Sequence, residues 1–385
     1  MSTSTANPTT NPTPRGLQDV VASPSSICFI NGDEGVLAYR GYNIHDLAER
    51  STFEETAYLL WFGHLPTASE LSSLKRDLNA ALRLPQPIQQ LLSGFQANAP
   101  KATPMDVLRT TVSALALYDV DAADMSREAN VRKAIRLIAQ TAAIVASIDR
   151  VRKGKPTVAP AADGSLAANF LYMLNGTRPT ATAERAMDIA LILHADHEFN
   201  ASTFAARVTA ATLSDIHSAV TSAIGALKGP LHGGANQAVI KILLDIGSGD
   251  PIAKISEMIT NKVKIPGFGH RVYHTMDPRA VHLRELSKEL CQAAGKTQLY
   301  EHSQQIEEYI KREKNLNPNV DFYSASAYYA MGISPDLYTP IFAISRMGGW
   351  TAHVLEQYSD NRLIRPRAEY VGPKVPQTYV AIDKR

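Results

Sequence analysis

From Ile44 onward, apolar residues recur every three or four positions, and short polar or Gly/Pro breaks separate one such run from the next. That is the period of an α-helix with one buried face. Within 70–84, Leu71, Leu74, Leu78 and Leu82 form such a stripe, ended before Pro85. Similar patterns cover 53–62, 104–118, 127–151, 165–174, 181–197, 214–225, 235–247, 251–260, 278–295, 298–314, 322–331 and 340–358. Roughly fifteen helices with short connections and no strand–helix alternation predict an all-α architecture. One stretch departs from the pattern. In 27–42 (ICFINGDEGVLAYRGY), Asn31-Gly32 stands between β-branched and aromatic residues and predicts a minor β-hairpin near the N-terminus.

Composition narrows the function classes. The chain has 385 residues, 45% apolar and 20% charged, which excludes wholesale disorder. Its 39 basic and 37 acidic residues leave a formal charge of +2, so nucleic acid is not an expected partner. Two cysteines, Cys28 and Cys291, far apart and with no C-x-x-C pair, do not suggest a disulfide scaffold or a structural zinc site, and the default setting is the reducing cytoplasm. No apolar run reaches the roughly 18 to 20 residues that cross a bilayer, so no membrane association is expected. The first fifteen residues lack an apolar signal core, hold too few arginines for a transit peptide, and read with Gly16 as a disordered tail. Residues 153–163 read as a surface loop. The prolines of 365–377 forbid a helix and predict an extended arm lying on another surface, a partner subunit being the natural one.

Four islands interrupt the helices, each with histidine, arginine or aspartate beside a helix breaker. In His194-Ala-Asp-His-Glu198 the two histidines are three apart and share a face if the helix continues. Imidazoles and carboxylates suit a metal, yet the order is not H-E-x-x-H; a helix end followed by an Asn or Ser cap, and an anion site, are the other readings. Gly229-Pro-Leu-His-Gly-Gly-Ala-Asn236 sets His232 at or just before a helix N-terminus, where the dipole disfavours imidazolium. A neutral histidine there can donate a hydrogen bond to a developing enolate; a turn histidine without function is the alternative.

The third island, Ile265-Pro-Gly-Phe-Gly-His-Arg-Val-Tyr273, has flexible Gly267 and Gly269 with Lys262, Lys264 and Arg271 around them. This suits a phosphate-bearing cofactor, although it is not a nucleotide-hydrolysing P-loop. Asp277-Pro278 then reads as a helix cap, with Arg279 on a first turn that would suit a cation only beside an anion. In Asn319-Val-Asp-Phe-Tyr-Ser-Ala-Ser326, Asp321 is either a cap or a desolvated base beside Phe322 and Tyr323. Arg346 lies in a helix otherwise apolar and ought to have a carboxylate partner, and Arg365 lies in the proline-rich arm.

Taken together, HADHEFNAST, GPLHGGAN, PGFGHRVY with DPR, NVDFYSAS and the Arg346/Arg365 pair resemble the citrate synthase family, in order and over nearly the whole chain. The likeness is to its compact bacterial and archaeal forms. The resemblance implies a helical homodimer with shared active sites, alone or in a higher assembly. Each subunit would have a large domain (17–220 and 322–385) and a small mobile domain (221–321). It implies condensation of acetyl-CoA with oxaloacetate, no tightly bound cofactor and no metal. Asp321 would be the base, neutral His232 the donor to the thioester oxygen, and His270 the donor to the oxaloacetate carbonyl. His197, Arg279 and Arg346 would hold oxaloacetate, with Arg365 from the other subunit. Ile265, Pro266, Gly267, Phe268, Gly269 and Arg271 would receive coenzyme A. The related 2-methylcitrate synthases, which take propionyl-CoA, share these islands. A non-catalytic sensor of CoA or a dicarboxylate would be expected to lose Asp321 or His232, and both are present.

Overall fold

The computed structural model describes residues 15–17 and 20–385, so the expected tail lies outside the described residues except for Arg15 and Gly16. Strands β1 (Cys28–Asn31), β2 (Val36–Tyr39) and β3 (Tyr42–Asn43) form a small antiparallel sheet in sequence order. The regular elements after it are helices: α1 (Ile44–Arg50), α2 (Phe53–Phe62), α3 (Ala68–Ala81), α4 (Gln86–Asn98), α5 (Pro104–Leu115), α6 (Arg127–Arg152), α7 (Leu166–Asn175) and α8 (Ala181–His194). There follow α9 (Ala201–Ala210), α10 (Ile216–Leu227), α11 (Ala235–Ile246), α12 (Pro251–Thr260), α13 (Pro278–Ala293), α14 (Thr297–Lys314), α15 (Val320–Ala330) and α16 (Tyr338–Ser359). No helix among the described residues is long and apolar enough to cross a membrane.

The helices start where the sequence supplies caps. Thr52, Thr67 and Thr103 each close a capping box with Glu55, Glu70 and Asp106, satisfying amides that a helix start leaves free. Helix α16 is apolar on nearly every side and is accordingly buried along most of its length. It packs against α2, α6, α8, α9 and α10. Helices α11 to α15 pack among themselves, with α15 lying on both α11 and α13. The starts of α13 and α15 are tied together, because Asp277 Oδ2 accepts from the Val320 amide at 3.1 Å.

Three local expectations are corrected. The helix expected over 181–197 stops at His194. The hairpin turn is not the dipeptide Asn31-Gly32: Asn31 pairs with Val36, and its Oδ1 accepts from the Asp33 and Glu34 amides. Helix α4 has no counterpart among the expected helices, because Gln86-Pro87 and the following polar residues dilute its stripe; Pro87 is tolerated in its first turn.

Candidate active site

His197 lies beyond the end of α8, in a turn that brings it against the loop between α12 and α13. Its Nε2 is 3.2 Å from the Tyr273 hydroxyl, and its ring centroid is 5.1 Å from that of His270. Burial, then the charges of Arg279, His270 and Arg346, hold its pKa well below the usual histidine range. His270 Nδ1 accepts from the Val272 amide at 3.0 Å and the Tyr273 amide at 3.3 Å. Backbone amides can only donate, so the ring proton is on Nε2, and burial together with Arg279 lowers the pKa to about 4. His270 is therefore a neutral hydrogen-bond donor at pH 7.

His232 reaches the same state by another route. It stands two residues before Gly234, the cap of α11. Its Nε2 accepts from the Ser202 amide at 3.3 Å and lies 2.8 Å from Ser202 Oγ, which accepts from Trp350 Nε1 at 3.1 Å. The remaining proton is on Nδ1. Burial, and Arg346 after it, bring the pKa to about 4. Two uncharged imidazoles are thus each held in one tautomer by a backbone amide.

The cations differ from one another. Arg279 is clamped by Asp277, with Nε and NH2 donating to the two carboxyl oxygens at 2.9 and 2.8 Å, both side chains being buried. The anion that its first-turn position requires is therefore supplied by the protein. Arg346 contradicts the expectation of a carboxylate partner. It is fully buried, donates from Nε to the His194 carbonyl at 2.7 Å, and stacks over Phe342 at 4.7 Å. Among the described residues no carboxylate pairs with it directly, and the charge of Asp196 reaches it only from longer range. A buried guanidinium without a counter-ion costs several kcal/mol, which an anionic ligand would offset.

Asp321 sits in the first turn of α15, but Asn319, not Asp321, caps that helix by accepting from the Asp321 amide at 3.0 Å. Desolvation raises its carboxyl to about 6, against the lowering field of Arg279. The loop carrying Ile265, Pro266, Gly267, Phe268 and Gly269 is pinned to the approach to α15. The Gly269 amide donates to Asn317 O at 3.0 Å, the Asn319 amide donates to Gly267 O at 2.9 Å, and Phe268 rests on Phe322 with ring centroids 4.5 Å apart. The Gly269 amide is thus committed to backbone and is not free for a ligand. Ile265 and Pro266 are half-buried beside Phe322, and Arg271 is exposed.

The charges of Arg279 and Arg346 reach His197 and Asp321 alike. Arg365 is not part of this cluster; it is exposed on the extended arm after α16. His194 and His197 do not share a helix face. His194 Nδ1 is 2.8 Å from its own helix's Ala190 carbonyl, and among the described residues no group of three or more His, Cys, Asp or Glu is placed to hold a metal. Ser202, Tyr273 and Trp350 belong to the site although the sequence pattern does not single them out. Ser202 and Tyr273 fall inside the conspicuous motifs, whereas Trp350 looks like any core residue.

Such a set can bind a dicarboxylate, remove a proton from a carbon acid and stabilise two carbonyl oxygens with uncharged donors. The family model for citrate synthase, C-terminal domain, matches residues 16–367. Citrate synthase 2 of Bacillus subtilis is 52% identical over 374 residues, covering 96% of this chain and 99% of its own. The 2-methylcitrate synthase of Shewanella oneidensis is 43% identical over 376 residues, covering 96% and 97%. The solved ternary complex of carboxymethyl coenzyme A and oxaloacetate with citrate synthase from Thermoplasma acidophilum matches with a TM-score of 0.89 at 34% identity, covering 96% and 98%.

Proposed function

The chain belongs to the citrate synthase family, and on that premise we propose that it condenses acetyl-CoA with oxaloacetate and water to give citrate and CoA, in the cytoplasm. The observation that carries the substrate reading is Arg346, a fully buried cation that makes no direct ion pair among the described residues, the charge of Asp196 reaching it only from longer range. An oxaloacetate carboxylate is the missing anion, with His197 and Arg279 completing the subsite.

Asp321, ionised above its raised pKa of about 6, takes a proton from the methyl carbon of acetyl-CoA. Its basicity is higher than that of an ordinary carboxylate, as removal of so weakly acidic a proton requires. His232 donates Nδ1–H to the thioester oxygen as the enol forms, and neutrality keeps the proton shared rather than released. His270 donates Nε2–H to the keto oxygen of oxaloacetate, making its carbon the electrophile. The new carbon–carbon bond yields citryl-CoA, and hydrolysis of that thioester releases CoA. No step draws on a metal.

The loop residues Ile265 to Gly269, with Arg271, are proposed to receive CoA. Residues 221–321 are proposed as the small domain that closes over the substrates. Arg365 is proposed to enter the site of the second subunit of a homodimer.

The 2-methylcitrate synthase reading is favoured by the 43% identity to the Shewanella oneidensis protein. One added methylene changes discrimination by only about 1–3 kcal/mol, so a pocket tolerates it readily. The test is free-thiol release with oxaloacetate and either acetyl-CoA or propionyl-CoA. A preference for acetyl-CoA supports the first reading, and equal or better use of propionyl-CoA supports the second. Silence with both, from folded protein that binds oxaloacetate, would leave a sensor.

A further inference from the structure

Asp196 stands beside His197, yet none of the proposed chemistry uses it. Its side chain is fully buried, where a carboxylate costs several kcal/mol unless it is paired. Oδ2 accepts from the Glu198 amide at 3.2 Å, folding the backbone into a tight turn around His197. Glu198 itself has a φ of 54°, a left-handed conformation that a non-glycine residue adopts only when its surroundings hold it there. The same turn is fastened from the other side, because the Gly349 amide of α16 donates to Ala195 O at 3.1 Å. A Cβ on Gly349 would stand 2.4 Å from both Ala195 O and Asp196 Oδ1.

Behind Asp196 runs a line of polar groups joining α16 to α9. His353, also fully buried, places Nε2 at 3.2 Å from Oδ1 and 3.3 Å from Oδ2 of Asp196. Its Nδ1 is 3.2 Å from Arg207 NH1. A guanidinium can only donate, so Nδ1 accepts and the ring proton is on Nε2, directed at Asp196. Arg207 in turn donates to Glu356 Oε2 at 2.7 Å and stacks over Phe199 at 4.6 Å. Glu356 Oε1 accepts from the Ser26 amide at 2.9 Å. Arg207 thus fixes the tautomer of His353, and the line ends on the turn that carries His197.

We propose that Asp196 and His353, backed by Arg207, are positioning residues that hold the strained 196–198 turn and so aim His197 into the dicarboxylate subsite. The inference rests on the oxaloacetate reading above. It separates the two substrates: loss of the His353 donor should disturb oxaloacetate and leave the acyl-CoA site, built from the 265–269 loop and α15, as it was.

The test compares wild type, His353→Leu, His353→Gln and Asp196→Asn by thiol release and by calorimetric titration with oxaloacetate. In His353→Leu, KM and Kd for oxaloacetate should rise about tenfold or more, with KM for acetyl-CoA within about twofold. His353→Gln restores a donor near the Nε2 position and should recover most of the affinity. Asp196→Asn keeps the volume and should show the same selective rise, so the idea stays testable if the leucine variant does not fold. A wild-type oxaloacetate KM in a folded His353→Leu or Asp196→Asn variant overturns the proposal. Equal weakening of both substrates, with no recovery in His353→Gln, overturns it too. Inactivity of the wild type would instead count against the function reading.

Discussion

Asp321 destabilises the native protein in which it works. An ordinary aspartate ionises near pH 4, whereas this one ionises at about 6 because it is desolvated. Between those values the folded chain holds more protons than the unfolded one. Stability therefore falls as the pH rises from about 4 to 6 and stays lower above. The deficit at pH 7 is of order 1–3 kcal/mol, since each tenfold loss of acidity corresponds to about 1.4 kcal/mol. Asp321→Asn should accordingly lose activity by about 10²–10⁴-fold, as loss of a general base does, while melting at a higher temperature at pH 7 and gaining little at pH 4. In the wild type, kcat/KM should rise with pH through about 6, since the base must be ionised. Initial rates and thermal melts at both pH values check this; a variant that melts lower at pH 7 would contradict the desolvation account.

At the scale of elements, the sheet matters more than its size suggests. The turn between β1 and β2 lies on the loop that carries His270: the His274 amide donates to Gly32 O at 3.0 Å, and His274 Nδ1 meets Asp33 Oδ1 at 2.7 Å. A Cβ on Gly32 would stand 2.0 Å from the Val272 carbonyl oxygen, a backbone atom that cannot swing aside. Gly32→Ala should push the turn and loop apart, cost about 1–3 kcal/mol, and move the Val272 and Tyr273 amides that fix the His270 tautomer. The expected readout is a fall in kcat alongside a lower melting temperature; unchanged turnover would show that His270 is held from elsewhere. The helices are legible in the sequence because a 3.6-residue period is local. Likewise Asp321, His232, His270 and Arg279 each sit beside a break in that period. The supporting residues have no such mark. His353 and Trp350 occupy positions in α16 that fit its buried stripe, and Arg207 lies in the last turn of α9, where a cation is unremarkable. Only packing between distant segments shows that they face polar atoms. The same limit explains Arg346, whose lack of a direct carboxylate partner among the described residues is a fact about its neighbours and not about its helix.

For the whole molecule, the residues after α16 lie on the surface without a helix or strand apart from a single turn at Ile382–Lys384. Val371, Tyr379 and Ile382 are 89, 82 and 77% exposed, apolar side chains that nothing in the single chain covers. This supports the proposed homodimer in which the arm embraces a second copy and delivers Arg365. An Arg365→Ala subunit mixed with an Asp321→Asn subunit should then recover activity, because one of the two composite sites in the mixed dimer is intact. Mixed dimers no more active than either parent would exclude a shared site.

The segments around the site are also tied together across long stretches of chain. Ser26 meets Glu356 across 330 positions, Asp33 meets His274 across 241, and Tyr39 donates to the Asp196 carbonyl across 157. Helices can form as they are synthesised, but contacts of such separation must wait for the last partner to emerge. A nascent chain lacking α16 therefore has most of its helices and no binding site. Substrate cannot template early folding, and a prematurely terminated product is inert instead of half-active. Ligand affinity thereby reports that synthesis has passed α16.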